Sequence, residues 1–406
     1  MPWRERSPME QRLQLVKEYQ HGLISLTELA AQYGVSRKTA YKWIHRYEAG
    51  SAAAFGLADR SRRPLVSPTK TAAEITAVFL ALRRKHPQYG AKKLLWLAAR
   101  LPRQQAWPSR STVHALLQRA GLIHTRPRMH RVRLPSQLAP ITAPNDTWTT
   151  DFKGQFRTGD GRYCYPLTLR DGWSRFVLRC DGLLGPTLTA TQARFARAFA
   201  EYGLPTRIRS DNGKPFAGIG LARLSTLTVW WMRLGIVVER IALGRPEQNG
   251  SHEQFHAVLK AHTARPAAAN LRAQQRRFDR FRREYNEARP HEALAGAMPA
   301  ERYTPSPRAL PTRLPPLEYP AHMEVRRISS SGTLSWRNRR HDVSTTLANH
   351  YVGFEEVADG LWTLYFVATP LARFDERRGV FHPLPVIVVN RAAPPQGHHR
   401  KEVHST

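Results

Sequence analysis

The chain has 406 residues, with 63 Lys and Arg against 31 Asp and Glu, which gives a formal net charge of +32. This length predicts several domains rather than one core, and the charge favours a polyanionic partner, with nucleic acid as the default. The two cysteines, Cys164 and Cys180, form no C-x-x-C motif, which argues against a zinc finger or a disulfide framework. No apolar run has the length of a membrane span, and the N-terminal residues lack a secretory apolar stretch. We therefore expect a cytoplasmic protein that makes no contact with a membrane.

The first 50 residues have the pattern of a helix-turn-helix domain. Ser25 and Glu28 have the spacing of a capping box at the start of a second helix. Gly34 supplies a tight turn, and Ser36 has the position of an N-cap for a third helix. An ordinary three-helix bundle is the alternative interpretation of this pattern.

The third helix of this domain, residues 37–46, has the character of a recognition helix that enters the major groove. It combines an apolar stripe with a polar, mostly basic face. The DNA-binding candidates on that face are Arg37, Lys38, Thr39, Lys42 and Arg46.

Residues 51–70 are rich in Ala, Gly, Pro and Arg and are predicted to be a linker. Apolar residues at helical spacing then predict a second helical unit over residues 71–125, either another helix-turn-helix or a plain packing unit. Residues 126–144 form a basic linker. Such a run is usually solvated, but beside DNA it can follow the phosphates. Its DNA-binding candidates are Arg126, Arg128, Arg131 and Arg133.

From Thr147 the pattern changes to that of strands, and residues 145–304 are predicted to form one α/β domain. Residues 147–152 alternate as a strand does, and residues 163–170 and 175–180 flank a turn signal at Asp171-Gly172, as in a hairpin. Helices and strands alternate beyond the hairpin, which predicts a mixed sheet with helices on its faces. These elements are a helix at 187–202, a strand at 207–210, a helix at 219–234, a strand at 236–238 and a helix at 249–263.

Residues 305–320 contain six prolines and are predicted to be a stiff linker. Short β-rich pieces separated by turns predict a small SH3-like β-barrel over residues 321–385. The polar residues 386–406 are predicted to be a disordered tail.

Three carboxylates on separate elements of the α/β domain form the candidate site. Asp151 lies within a strand, Asp211 lies where a strand ends, and Glu253 lies on a helix with a buried face. If the crevice of the sheet brings them together, mutual repulsion would force protonation unless a cation intervenes. Two Mg²⁺ or Mn²⁺ ions satisfy such a set, because these hard cations prefer carboxylate oxygen. An ion pair of this kind supports in-line phosphoryl transfer.

Neighbouring residues have competing interpretations. Lys260 follows Glu253 by almost two helical turns and is a candidate for gripping a DNA phosphate near the metals. His256 is interpreted as a surface or packing residue. The rival acids are Asp171, which fits the hairpin turn better, and Glu247, which fits a loop or a helix entry.

At these residues the sequence resembles bacterial insertion-sequence transposases of the DDE superfamily, which have a retroviral-integrase-type catalytic core. The order of the parts matches as well. The matching stretches are 147–152, 209–213, 245–260, Tyr285-Asn286, Arg289-Pro290-His291, Ala293-Leu294 and Pro299.

The resemblance implies a ribonuclease-H-like core in which Asp151, Asp211 and Glu253 are the catalytic and metal-binding residues. It implies binding to double-stranded DNA, both the terminal inverted repeats and the target, by a nucleoid-associated homo-oligomer. The rival hypothesis is an inactivated transposase that acts as a DNA-binding regulator, and a metal nuclease without joining activity is a third.

Overall fold

The computed structural model of the chain describes residues 7–50, 55–61, 70–102, 106–123, 138–242, 250–384 and 400–403. The chain divides into an N-terminal unit, residues 1–72, and a C-terminal unit, residues 73–406. No helix in the described ranges is long and apolar enough to cross a membrane.

The N-terminal unit contains three helices, α1 (Pro8–Gln20), α2 (Leu26–Gln32) and α3 (Arg37–Glu48). The predicted caps are present: Ser25 and Glu28 form a reciprocal capping box on α2, and the Ser36 hydroxyl accepts from the Thr39 backbone N–H. Gly34 has a φ of +64°, the left-handed conformation that the tight turn before α3 requires. The core of the unit consists of Leu15, Val16, Leu29, Ala30, Ala40, Trp43, Ile44 and Leu57.

The C-terminal unit begins with the second helical group, α4 (Ala73–Lys85), α5 (Ala91–Ala98) and α6 (Arg110–Arg119). Ser109 caps α6 by accepting from the Thr112 N–H. The buried apolar residues of the three helices face one another and form a core of their own, which includes Phe79, Leu94, Val113 and Leu117.

A six-stranded mixed sheet follows, as the alternating pattern predicted. Its strands are β1 (Thr147–Phe152), β2 (Phe156–Arg157), β3 (Tyr163–Asp171), β4 (Val177–Leu183), β5 (Arg207–Ser210) and β6 (Val237–Arg240). In this sheet β1 pairs antiparallel with β3 and parallel with β5, β5 pairs parallel with β6, and both β2 and β4 pair with β3.

Four helices accompany this sheet. They are α7 (Leu188–Tyr202), α8 (Thr226–Arg233), α9 (Gly250–Thr263) and α10 (Leu271–Glu287). The helix predicted over 219–234 begins only at Thr226, because Leu221–Arg223 forms a 3₁₀ turn in which Ala222 and Arg223 have positive φ. The sequence patterns above did not predict α10, which packs on β4 and α9 through its buried face.

The C-terminal β region forms a five-stranded antiparallel sheet in the order β14-β13-β12-β11-β8, with a two-stranded ladder of β9 and β10. Among the described residues, the edge strands β14 and β8 do not pair with each other, so the expected SH3-like barrel is not confirmed. The strands are β7 (Leu317–Pro320), β8 (Glu324–Arg327), β9 (Thr333–Trp336), β10 (Arg339–Asp342), β11 (Tyr351–Ala358), β12 (Leu361–Phe366), β13 (Thr369–Asp375), β14 (Val380–Pro383) and β15 (Arg400–Val403).

The proline-rich segment 305–320 is held against the α/β domain. The Ser306 N–H donates to the Tyr202 carbonyl, and the Arg308 guanidinium donates to the carbonyls of Pro205 and Leu234. The end of this segment is β7, which pairs with β15, the described part of the predicted tail.

Candidate active site

Asp151 lies on β1, and Asp211 directly follows the neighbouring parallel strand β5. The register of β1 and β5 pairs Thr147 with Arg207 and Thr149 with Arg209. Two residues further along each chain are Asp151 and Asp211, so the two carboxylates leave the sheet at equivalent positions. Adjacent strands are about 4.8 Å apart, so the two side chains are neighbours.

The surroundings of Asp151 oppose its ionisation. Burial, followed by the charge of Asp211 and then by that of Glu253, raises the pKa of Asp151 to about 7, while Lys153 opposes the shift. The charges of Asp211 and Glu253 therefore both act on Asp151. The site has excess negative charge that a cation would relieve.

Asp211 follows β5 in a tight turn. Its Oδ1 accepts from the Gly213 N–H at 3.1 Å. Burial raises the pKa of Asp211, and this backbone hydrogen bond opposes the increase. A Cβ on Gly213 would lie 3.0 Å from Asp211 Oδ2, so close approach to the carboxylate, rather than a left-handed backbone, favours glycine here.

Glu253 is in the first turn of α9, on the exposed edge of the helix, and Lys260 is exposed two turns further along. Within the described ranges, no group of three or more His, Cys, Asp or Glu side chains is arranged to hold a metal ion. The donor chemistry of Asp151 and Asp211 thus fits a hard cation, but Glu253 is not gathered with them into a coordination sphere.

The inner face of α9 contributes two histidines that contact the strands beside Asp151. Thr168, the cross-strand partner of Asp151, donates its hydroxyl hydrogen to the Asp151 carbonyl at 3.0 Å. The Nε2 atoms of His252 and His256 lie 2.7 and 2.8 Å from the Thr168 oxygen. Because that hydroxyl has a single hydrogen, both imidazoles must donate to it.

His256 therefore turns its unprotonated Nδ1 toward Asp151, whose Oδ2 lies 3.7 Å away. Burial, together with the charges of Lys153 and Arg170, lowers the pKa of His256 to about 3 and keeps the ring neutral. His256 is a buried packing residue, as interpreted from sequence, but it also contacts the candidate site.

The sequence analysis did not identify His252, Thr149 or Thr168. His252 is fully buried, and its Nδ1 lies 3.0 Å from the Thr149 hydroxyl. The available signal was helical spacing, since His252 shares the buried stripe of α9 with Phe255 and Leu259. For Thr149 and Thr168 the only indication in the sequence is the alternation of residues along a strand, which predicts which face of the sheet a side chain lies on.

Other acids near the sheet already have partners. Glu239 on β6 is fully buried, and its carboxylate accepts from Arg209 Nε at 2.5 Å and from the Ala139 N–H at 3.1 Å. Asp171 accepts from the N–H groups of Asn145 and Ser174 and so holds the hairpin turn. Glu247 lies outside the described residues.

The DNA-binding candidates of α3 differ in exposure. Arg37, Lys38 and Lys42 are exposed, whereas Thr39 and Arg46 are half-buried. Lys42 and Arg46 lie over the ring of the buried Trp43, each with its charged group 4.9 Å from the ring centroid. The arginines at positions 126, 128, 131 and 133 lie outside the described residues.

Comparison with known families assigns domains to three parts of the chain. A helix-turn-helix domain model matches residues 11–64, a homeodomain-like domain model matches 39–117, and an integrase core domain model matches 234–299. The integrase match includes Glu253 and Lys260 and does not extend to Asp151 and Asp211.

Two curated relatives are proteins of bacterial insertion elements. The insertion element IS407 uncharacterized 31.7 kDa protein of Burkholderia multivorans is 26% identical over 56% of this chain and 79% of its own length. The insertion element IS476 uncharacterized 39.2 kDa protein of Xanthomonas euvesicatoria is 25% identical over 61% of this chain and 69% of its own length. The chain therefore contains helix-turn-helix and integrase core domains and is similar to proteins of insertion elements.

Among solved structures, the chain is similar to the HTLV-2 integrase catalytic core domain in complex with magnesium. The match has 16% identity, covers 40% of this chain and 97% of that chain, and has a TM-score of 0.29. A simian T-cell lymphotropic virus intasome structure matches with 15% identity over 71% of this chain and 96% of that chain, with a TM-score of 0.34.

Proposed function

We propose that the chain is a DNA transposase that cleaves DNA at transposon ends and joins those ends to target DNA. The observation that carries this proposal is that Asp151 on β1 and Asp211, directly after the adjacent strand β5, lie close enough for the charge of Asp211 to act on Asp151, as the charge of Glu253 also does. The integrase core domain and the helix-turn-helix domains support the same function.

In this proposal Asp151, Asp211 and Glu253 hold two Mg²⁺ or Mn²⁺ ions, which requires Glu253 to approach the two aspartates. When bound, such ions polarise a phosphodiester and neutralise charge on the attacking and leaving oxygens. In the first step water attacks phosphorus and the bond to the 3′ oxygen breaks, which frees a 3′-hydroxyl. That hydroxyl then attacks a target phosphodiester, and one P–O bond forms as another breaks. Lys260, two turns along α9 from Glu253, binds a phosphate of the DNA.

We assign DNA recognition to the domain at residues 1–50, in which α3 enters the major groove, and catalysis to residues 145–304. The basic segment 126–144 contacts phosphates of the DNA. The β region at 321–385, proposed as an SH3-like barrel, binds the sugar–phosphate backbone of the DNA. Double-stranded DNA that carries the terminal inverted repeats is the first partner, and target DNA is the second. A homo-oligomer bridges the two ends.

A Mg²⁺-dependent assay on DNA fragments that carry the sequences flanking the gene tests this function. We expect nicked and joined products from the wild-type chain. Asp151→Ala, Asp211→Ala and Glu253→Gln should lower product formation by on the order of 10³-fold or more while DNA binding persists. Glu287→Gln, at an exposed position of α10, is the matched control. Strand transfer by Asp211→Ala would overturn the assignment, and nicking without branched products would indicate a nuclease.

One observation favours a second function, a catalytically inactive regulator that binds DNA. No set of three ligating side chains in the described parts of the chain is arranged to hold a metal. A regulator would bind end DNA with no response to Mg²⁺ in either cleavage or thermal stability, whereas a transposase would respond in both.

A further inference from the structure

The segment Arg289-Pro290-His291, which the proposed chemistry leaves without a role, belongs to a second cluster of polar side chains. We call this cluster the cationic pocket. It lies where α5, the β3–β4 turn, the start of α9 and residues 289–291 meet. Its members are Lys93, Arg170, Arg175, Arg289 and His291.

Aromatic rings hold one side of the pocket together. The Arg289 guanidinium lies over the rings of Tyr89 and Tyr285, at 4.9 and 5.7 Å from their centroids. Lys93 Nζ lies 5.7 Å from the Tyr89 centroid, and the ring of His291 lies 4.8 Å from that of Tyr285. These contacts place an ammonium, a guanidinium and an imidazole around two tyrosines.

Ser251, in the first turn of α9, organises the other side. Its hydroxyl accepts from Arg170 at 2.7 Å and from Arg175 at 3.2 Å. Two guanidinium groups therefore meet at the beginning of a helix, where the N–H groups and the helix dipole also favour an anion.

In the part of the chain that the structure describes, none of the five pocket members has an ion pair with a carboxylate at 4.0 Å or less, although Glu292 and Asp171 act on Lys93 and Arg175 from further away. Burial and the charge of Arg289 lower the pKa of Lys93 to about 8, although Glu292 opposes the decrease. Glu292 itself is ion-paired with Lys92, at 3.7 Å. Burial and then the charges of Lys93, Arg289, Arg170 and Arg175 lower the pKa of His291 to about 3.

Two buried nitrogens of the pocket, Arg170 Nε and His291 Nε2, also have no hydrogen-bond partner among the described residues. Arg170 Nε is a donor, and His291 Nε2 is a donor in one of the two neutral tautomers of the ring. Buried cations and donors without partners are costly. A ligand that carries negative charge and several acceptor oxygens would remove both costs at once.

We propose that the cationic pocket binds a phosphate group, and that this phosphate belongs to the backbone of bound DNA. A single carboxylate has too few oxygens to accept from three guanidinium groups and an ammonium. A phosphate has more acceptor oxygens and a negative charge, so it can bind all of them. One member of the pocket, Arg175, also lines an open cavity of about 390 Å³, together with Arg302. Only the DNA source of the phosphate rests on the proposed function.

The test compares Lys93→Gln with Lys92→Gln in the full-length chain, without divalent metal, so that loss of catalysis cannot affect it. Lys92 is the neighbouring lysine on α5, outside the pocket, and loses the same charge. In the first arm, inorganic phosphate replaces chloride at equal ionic strength. We expect the Tm of the wild type and of Lys92→Gln to rise by about 2–4 °C. The Tm of Lys93→Gln should not rise, whereas Lys93→Arg should regain the increase.

The second arm measures the affinity for double-stranded DNA against salt concentration. Loss of one phosphate contact lowers the slope of log K against log salt by about 0.9. We expect this decrease for Lys93→Gln and a slope closer to that of the wild type for Lys92→Gln. The proposal that the cationic pocket binds phosphate would be contradicted if phosphate did not raise the Tm of the wild type. It would also be contradicted if phosphate raised the Tm of Lys93→Gln as much as that of the wild type. If Lys93→Gln lost the Tm response to phosphate but kept the wild-type slope of log K against log salt, the pocket would bind phosphate but not a phosphate of the DNA.

Discussion

Asp151 lies on a strand of the central sheet, and its surroundings disfavour the charged form of its carboxyl. Its carboxyl retains 21% of its side-chain exposure and faces both the charge of Asp211 and a neutral His256. The places of Asp151 within a strand and of Asp211 directly after one were predictable from sequence, and such carboxylates are candidates for a site because they are costly unless something compensates them. The roles of Thr168 and His252 were not predictable, since they depend on which strand lies opposite β1 and which helix covers it.

The raised pKa of Asp151 makes the stability of the metal-free protein depend on pH. The carboxyl titrates at its usual 3.8 in the unfolded chain and at about 7 in the folded one. The folded state therefore holds more protons between these values, and stability falls as pH rises from about 4 to about 7. Between pH 5 and pH 8 the free energy of unfolding should decrease by on the order of 2 kcal/mol less in Asp151→Asn than in the wild type. Urea unfolding at the two pH values measures it.

Asp279→Asn, which removes an exposed carboxylate of α10, is the control and should keep the wild-type pH dependence. If Asp151→Asn loses as much stability between pH 5 and pH 8 as the wild type does, the pKa of Asp151 is not raised in the folded protein. Added Mg²⁺ should restore part of the wild-type stability at pH 8 and have less effect on Asp151→Asn.

At the scale of elements, the Thr168 hydroxyl links α9 to two strands of the sheet. Thr168 accepts from His252 and His256 and donates to β1, so the helix that carries Glu253 is positioned against the strand that carries Asp151. We expect Thr168→Val to destabilise the chain by about 2–4 kcal/mol, because two buried imidazole N–H groups lose their acceptor. Urea unfolding at pH 7 measures the change.

Two variants isolate the hydroxyl. Thr168→Ser keeps the acceptor and should cost about 1 kcal/mol for the lost methyl group. Thr191→Val, in the buried face of α7, removes a hydroxyl that donates to the carbonyl of the N-cap residue of the same helix, Thr187, and should also cost about 1 kcal/mol. Equal losses in all three variants would show that Thr168 contributes only packing.

The elements that the sequence predicted well carry their own local signals. The caps at Ser25 and Ser36 and the hairpin at Asp171 are set by residues within a few positions. The start of α8 was predicted too early, because the left-handed Ala222 and Arg223 have no glycine to mark them. Barrel closure at 321–385 depends on pairing between distant edge strands, which turn residues do not specify.

At the scale of the whole molecule, the N-terminal unit has the features of an independent domain. Its core is formed by its own helices and by Leu57. Arg12 bonds the Leu57 carbonyl at 2.8 Å and pairs with Asp59 at 3.0 Å, so the chain after α3 returns to the same core. The C-terminal unit contains every residue of the candidate site and of the cationic pocket.

We therefore expect residues 1–72, produced alone, to fold and to bind the DNA sites that the whole chain selects from a random pool. The fragment should show helical circular dichroism and a cooperative melt, because its core is complete without the rest of the chain. Lys42→Gln, on the exposed face of α3, should weaken binding to the selected site by on the order of tenfold. Lys17→Gln, exposed on α1, removes the same charge and should weaken it less. An unfolded fragment would contradict the division into units, and equal losses in both variants would contradict α3 as the recognition helix.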